Sequence, residues 1–238
     1  MSLPSPSDRL RLDLESPLQG TRLLGVSLVF LHAVTAGIAS NLGLAAPITA
    51  LLLDRPAELR VGVGGQGSAQ IAAGEVWRLA TSVLLHADVL HLALNVAAIA
   101  VLGRLLEPFV GPTRLLAWFV LGGVGGSVVS QVSGVSQSDG ASGGAFALLG
   151  AALVLGWRWR ARWVPEDWRV MGPALWLVLA GNLVLSFALP MVDVSAHVGG
   201  LLIGLLVAQT PTGSRWAKAD RTVVTVFVVV CVWGWLFG

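Results

Sequence analysis

The chain has 238 residues, 55% of them apolar and 12% charged, with a formal net charge of +2. A soluble domain carries about 25% charge and could not cover so apolar a chain with polar groups, so the composition indicates a membrane protein. Cys231 is the single cysteine, which excludes an intrachain disulfide, a thiol redox motif and a cysteine zinc site.

Residues 1–22 read as a polar, cytoplasmic tail: Arg9 and Arg11 mix with Asp8, Asp13 and Glu15, without the apolar core and cleavage site of a secretory signal. Seven apolar runs follow, near the length a membrane span needs: Leu23–Leu42, Leu90–Leu106, Leu115–Val132, Ser142–Trp157, Ala174–Leu189, Val194–Thr210 and Val223–Leu236. The fourth, fifth and seventh are short and would need tilt or bilayer thinning. A long exterior loop, about 43–89, separates the first two. It holds a short apolar stretch (Ile48–Leu53), then Asp54-Arg55-Pro56 and the glycine-rich Val61–Gly67, and is long enough to fold on the interface.

The basic residues set the orientation. Arg9, Arg11 and Arg22, then Arg104 and Arg114, then Arg158, Arg160, Arg162 and Arg169, then Arg215, Lys218 and Arg221 fall in alternate connections. The other connections carry only Arg55, Arg60 and Arg78, all in the long loop. The positive-inside rule gives a cytoplasmic N-terminus and an outside C-terminus. The run Trp157–Trp163 reads as an interfacial aromatic belt; with the basic residues spread in this way, no nucleic-acid partner is expected.

Ser142 and His197 then open the fourth and sixth spans from the same side of the membrane. A serine hydroxyl is a weak nucleophile that needs a base within reach, and histidine suits that role near neutral pH. Gly140 and Gly143 flank Ser142, and Gly200 and Gly204 follow His197 at helical spacing, so the two helix backbones can approach closely. The alternative is that these glycines only pack and Ser142 caps its helix. On the second span His91 and Asn95 share one face at the same level. Polar side chains inside a membrane usually face an interior site. With the Ser142 backbone N–H they would supply donors to a developing oxyanion, although a structural hydrogen-bond pair between helices is the other reading. Asp139 and Asp193 stand near enough to be drawn into a triad, but read better as plain exterior-loop carboxylates. His32, mid-way along span one, reads as structural.

These residues resemble the rhomboid family of intramembrane serine proteases. Trp77-Arg78, then His86, His91 and Asn95, then Gly103 and Glu107 look like its Trp-Arg, His-x4-His-x3-Asn and Gly-x3-Glu patterns. Gly140-Ala141-Ser142-Gly143 with Gly150, and Ala196-His197 with Gly200 and Gly204, look like its serine and histidine motifs. Gly144 and Ala147 depart from the serine motif, each keeping a small residue. The resemblance covers about Glu75 to Gly204.

It implies an all-α membrane protein: a rhomboid-like bundle of six core helices over 23–210, and a linker with a seventh helix over 211–238. It implies Ser142 as nucleophile and His197 as base in a two-residue dyad, with His91, Asn95 and the Ser142 backbone as the oxyanion hole. Phe146 would stack on the histidine, His86 would support the site, and Trp77, Arg78, Gly103 and Glu107 would be structural. The expected activity is endoproteolysis of transmembrane protein substrates near the outer membrane face, without metal or cofactor, in a multi-pass protein of the bacterial plasma membrane in contact with lipid. The sequence carries no signal of oligomeric state. The alternatives are a non-catalytic rhomboid-like protein that binds membrane clients, and a small-solute channel.

Overall fold

The computed structural model describes residues 9–13, 15–41, 51–53, 55–189, 192–211 and 214–238. Asp8, Leu42, Gly43, Ile48–Ala50 and Asp54, all used in the sequence reading, lie outside the described residues, as does the side chain of Arg215. The long helices are α1 (Gln19–Asn41), α5 (Val89–Val110), α6 (Pro112–Val132), α7 (Ser142–Arg158), α8 (Pro165–Ala188), α9 (Val194–Val207) and α10 (Ser214–Phe237). Between α1 and α5 stand the short helices α2 (Ala57–Gly62), α3 (Ser68–Ala72) and α4 (Arg78–Thr81). The two-residue strand β1 (Gln66–Gly67) pairs antiparallel with β2 (Gln137–Ser138), so the long loop over 55–89 folds into ordered structure.

Among the described residues five helices are long and apolar enough to cross a membrane: Gln19–Asn41, Val89–Val110, Pro112–Val132, Pro165–Ala188 and Trp216–Phe237. The protein is a multi-pass integral membrane protein. The shorter pair is Ser142–Arg158 and Val194–Val207, which corrects the expectation that the fifth and seventh spans are short and the sixth is not. The fifth starts earlier because Pro165 suits the first turn of a helix and a π-wound stretch, Val170–Ala174, carries the chain past Pro173. The seventh starts earlier because its charged first turns are helical. The sixth ends at Val207, after which Gln209 and Thr210 donate to carbonyls only three residues back.

Helix α7 is the axis of the bundle. Its sequence alternates small and large apolar residues, and everything from Gly143 to Leu153 is buried. Helices α5, α6 and α9 surround it. The lipid-facing side chains are large and apolar, as at Leu94, Val184 and Phe187. At the end away from Ser142, Glu107 in the last turn of α5 accepts hydrogen bonds from the N–H groups of Gly20 (2.9 Å) and Thr21 (2.8 Å) and from the Thr21 hydroxyl (2.5 Å). These are the orphan donors of the first turn of α1, and a carboxylate there also meets the positive end of the helix. Gly103, one turn earlier, leaves the space that the Thr21 side chain fills. At the same end Leu10 donates to the Arg162 carbonyl at 2.8 Å, so the tail is stitched to 162–164, and Arg114 bonds Asp220 at 2.9 Å, tying α6 to α10. Trp163 is buried there against Phe109, so the expected aromatic belt is partly core.

Helix α10 also fastens the long loop between α1 and α5. The Trp235 indole donates to the Val63 carbonyl at 3.0 Å, and Trp77 lies directly against Gly234.

Glu107→Ala is expected to cost about 2–4 kcal/mol, because charge-assisted hydrogen bonds contribute roughly 1.5–3 kcal/mol each and the buried N–H groups lose their acceptor. Reversible unfolding in mixed micelles measures this; Glu107→Gln, which keeps an acceptor oxygen, should lose less. Equal stability of Glu107→Ala and the parent would contradict the capping role.

Candidate active site

Ser142 is the first residue of α7, half-buried. The N-cap position belongs to Ala141, and no side-chain hydrogen bond caps the helix. The reading of Ser142 as a helix cap is therefore corrected: its hydroxyl is not used on its own helix end. His197 lies in the first turn of α9 and is buried. A Cβ on Gly200 would strike the backbone of Gly143, one on Gly204 would strike that of Ala147, and one on Gly143 would stand 3.5 Å from the Ala196 carbonyl. Helices α7 and α9 therefore touch backbone to backbone beside both residues. The Phe146 ring, one turn after Ser142, stacks on the His197 ring with centroids 4.2 Å apart and planes at 17°.

The α5 residues sit on the other side of Ser142. Asp88 caps α5, accepting from the His91 N–H at 2.7 Å. The His91 ring lies against Gly140: a Cβ there would come within 2.9 Å of its Nε2. With φ +136° as well, the position admits only glycine. Asn95 is buried, and its amide donates to the His91 carbonyl at 2.9 Å, leaving a second N–H. His86 Nε2 accepts from the Ala141 N–H at 3.4 Å. Burial holds the His86 pKa well below the ordinary histidine value, with His91 adding to the shift, which keeps the imidazole neutral as that acceptor role requires.

The loop before Ser142 is held from several directions. Gly140 N–H donates to the Ser82 carbonyl at 3.0 Å and Ser68 N–H to the Ser136 carbonyl at 3.0 Å. Asp139 accepts from the Gln66 N–H (3.1 Å) and pairs with Arg60 at 3.1 Å, with its side chain only 3% exposed. Burial pushes the Asp139 carboxyl above its ordinary pKa, against the pull of the Arg60 guanidinium. Asp193 caps α9, accepting from the Ala196 N–H at 3.0 Å. Neither is the plain loop carboxylate expected: Asp139, buried itself, closes a part-buried ion pair and Asp193 closes a helix end.

Arg78 completes the frame. It bonds Glu75 at 2.7 Å and the carbonyls of Val61 and Gly65, and its guanidinium lies 4.5 Å from the Trp77 ring centroid. Thr81 donates to the Gly64 carbonyl at 2.6 Å. His32 joins a buried cluster: Arg55 donates to His32 Nδ1, to Thr35 (2.7 Å) and to the His86 carbonyl (2.6 Å).

Residues 73–212 match the model of the Rhomboid domain. The chain belongs to the rhomboid family. Among curated relatives of this rhomboid, it is 32% identical over 183 residues to "Rhomboid protease GluP" of Bacillus subtilis (strain 168), covering 76% of this chain and 35% of that protein. It is 38% identical over 143 residues to "RHOMBOID-like protein 5" of Arabidopsis thaliana, covering 58% and 44%. It is 34% identical over 167 residues to "Rhomboid-like protease 5" of Toxoplasma gondii, covering 69% and 20%. The chain thus spans less than half the length of each.

Two features of this rhomboid's site escaped the sequence. Arg60–Asp139 joins residues far apart in the chain. Ser186, which bonds His197 Nδ1 at 2.8 Å, is a serine inside an apolar run; the rule that polar groups within a span face an interior site would have flagged it.

Arg60→Met is expected to cost about 3–5 kcal/mol by leaving Asp139 buried without its cation. The double variant Arg60→Met/Asp139→Asn should recover part of that loss. Thermal unfolding of the detergent-solubilised protein measures both, and additive losses would contradict the pairing.

Proposed function

We propose that this rhomboid is an intramembrane serine endopeptidase in which Ser142 is the nucleophile and His197 its base. The observation that carries the reading is the backbone contact of α7 and α9, which puts the first turn of each helix side by side with Phe146 stacked on His197. The base takes the serine proton as Oγ attacks the scissile carbonyl. Asn95, His91 and the Ser142 N–H donate to the oxyanion, helped by the uncapped positive end of α7. Water then releases the acyl group. No carboxylate bonds the histidine in this scheme, because the partner of His197 Nδ1 is the Ser186 hydroxyl while Asp139 pairs with Arg60 and Asp193 caps α9, and neither metal nor cofactor takes part.

The substrates are transmembrane proteins that unwind near the scissile bond, since an intact helix shields its peptide groups. The chain is placed in a bacterial plasma membrane with its N-terminus in the cytoplasm, its C-terminus outside and the site near the outer face. Arg104, Arg114, Arg158 and Lys218 at the end opposite Ser142 support this orientation. The catalytic core is residues 23–210, and the last helix is an addition that braces the exterior loop.

Purified full chain in proteoliposomes should cut a model transmembrane substrate, and Ser142→Ala or His197→Ala should each lower the rate by at least about a thousandfold. Parent-like cleavage by either variant would refute the dyad. Binding of the substrate by the parent without cleavage would favour the client-binding alternative.

A further inference from the structure

Helix α8 is mostly exposed along its second half, with Leu185 at 57% and Phe187 at 74%. Ser186 between them is 4% exposed, and it is the one residue in 182–189 that the bundle buries. It makes two hydrogen bonds. Its Oγ stands 2.7 Å from the Asn182 carbonyl oxygen, one turn back on its own helix, and 2.8 Å from His197 Nδ1 on α9.

A serine hydroxyl has one proton and two lone pairs. A backbone carbonyl only accepts, so the proton goes to Asn182. Toward His197, Oγ is then the acceptor, and Nδ1 carries the hydrogen. In a neutral imidazole that leaves the lone pair on Nε2. A base that takes a proton from a serine through Nε2 needs this tautomer, and an acceptor on Nδ1 also stabilises the imidazolium that forms. In serine proteases with a triad an aspartate does both. Here, among the described residues, the His197 ring bonds the Ser186 hydroxyl and no carboxylate, and Asp193 accepts instead from the Ala196 N–H.

We infer that Ser186 is a positioning residue that holds His197 in the Nδ1–H tautomer, with the Asn182 carbonyl fixing the direction of the serine hydroxyl. The inference rests on the dyad reading above and assigns to a neutral hydroxyl the place of the absent acid. It also makes the base depend on α8, a helix that otherwise touches α9 little.

The test uses full-length protein in proteoliposomes and a small fluorophosphonate probe, which reacts with Ser142 and needs no substrate helix to enter. Ser186→Ala is expected to slow labelling about tenfold, the worth of one neutral hydrogen bond. Ser186→Thr, whose hydroxyl also reaches the carbonyl one turn back, should restore labelling to within about threefold. Nitrogen-15 spectra of His197 should show the Nδ1–H tautomer in the parent and a mixture in Ser186→Ala. Unchanged labelling in Ser186→Ala, or an Nε2–H tautomer in the parent, would overturn the inference. So would slowed cleavage of a transmembrane substrate with labelling unaffected, because Ser186 would then only shape the path of the substrate. If Ser186→Ala does not fold, the parent spectrum alone decides. Failure of the dyad reading is separate: Ser142→Ala would then cleave like the parent.

Discussion

The contact on which the rest depends is the backbone approach of α7 and α9. Gly200 lies on Gly143 and Gly204 on Ala147, with no side chain between. Among helices in lipid there is little hydrophobic gain from association, so close packing and hydrogen bonds decide which faces meet. A Cβ at Gly200 or Gly204 would push the helices apart, and the displacement would fall on the first turns, where Ser142 and His197 stand. The departures at Gly144 and Ala147 fit the same requirement. Gly144 lies against the Phe119 ring, and Ala147 offers its backbone to Gly204.

Helix packing alone would leave the chain before Ser142 free to choose among conformations. The long loop between α1 and α5 removes that freedom. Strand pairing, the part-buried Arg60–Asp139 pair and the Gly140–Ser82 bond hold 136–140 in place. Arg78 and Thr81 in turn hold 61–65, and α10 presses on both through Trp77 and Trp235. The arrangement is nested, each layer ordering the one inside it, and it keeps an uncapped helix end at Ser142 without spending a side chain of the site on capping.

The sequence made the helices and the close approach of α7 and α9 legible because both leave periodic traces. Apolar runs mark spans, glycines four apart mark a touching face, and the spacing from His91 to Asn95 marks one side of a helix. Span ends were less legible. Hydropathy stops at Arg169 and Arg221, but a helix continues through charged residues where it leaves the apolar layer. The tertiary hydrogen bonds were not legible at all. Arg60 with Asp139, Trp235 with Val63 and Ser186 with His197 join residues whose separations carry no period, and a single polar residue in an apolar run does not say which neighbour it will meet.

The π-wound stretch at Val170–Ala174 bears on this last contact. A π turn accommodates one residue more than an α turn, and each residue of a helix advances the next by about 100°. Everything beyond it on α8, including Ser186, owes its azimuth to that extra residue. The stretch is thus a register device. Replacing its side chains leaves the phase of the helix intact, whereas deleting one residue would swing the Ser186 hydroxyl toward lipid and bring an apolar neighbour against the histidine.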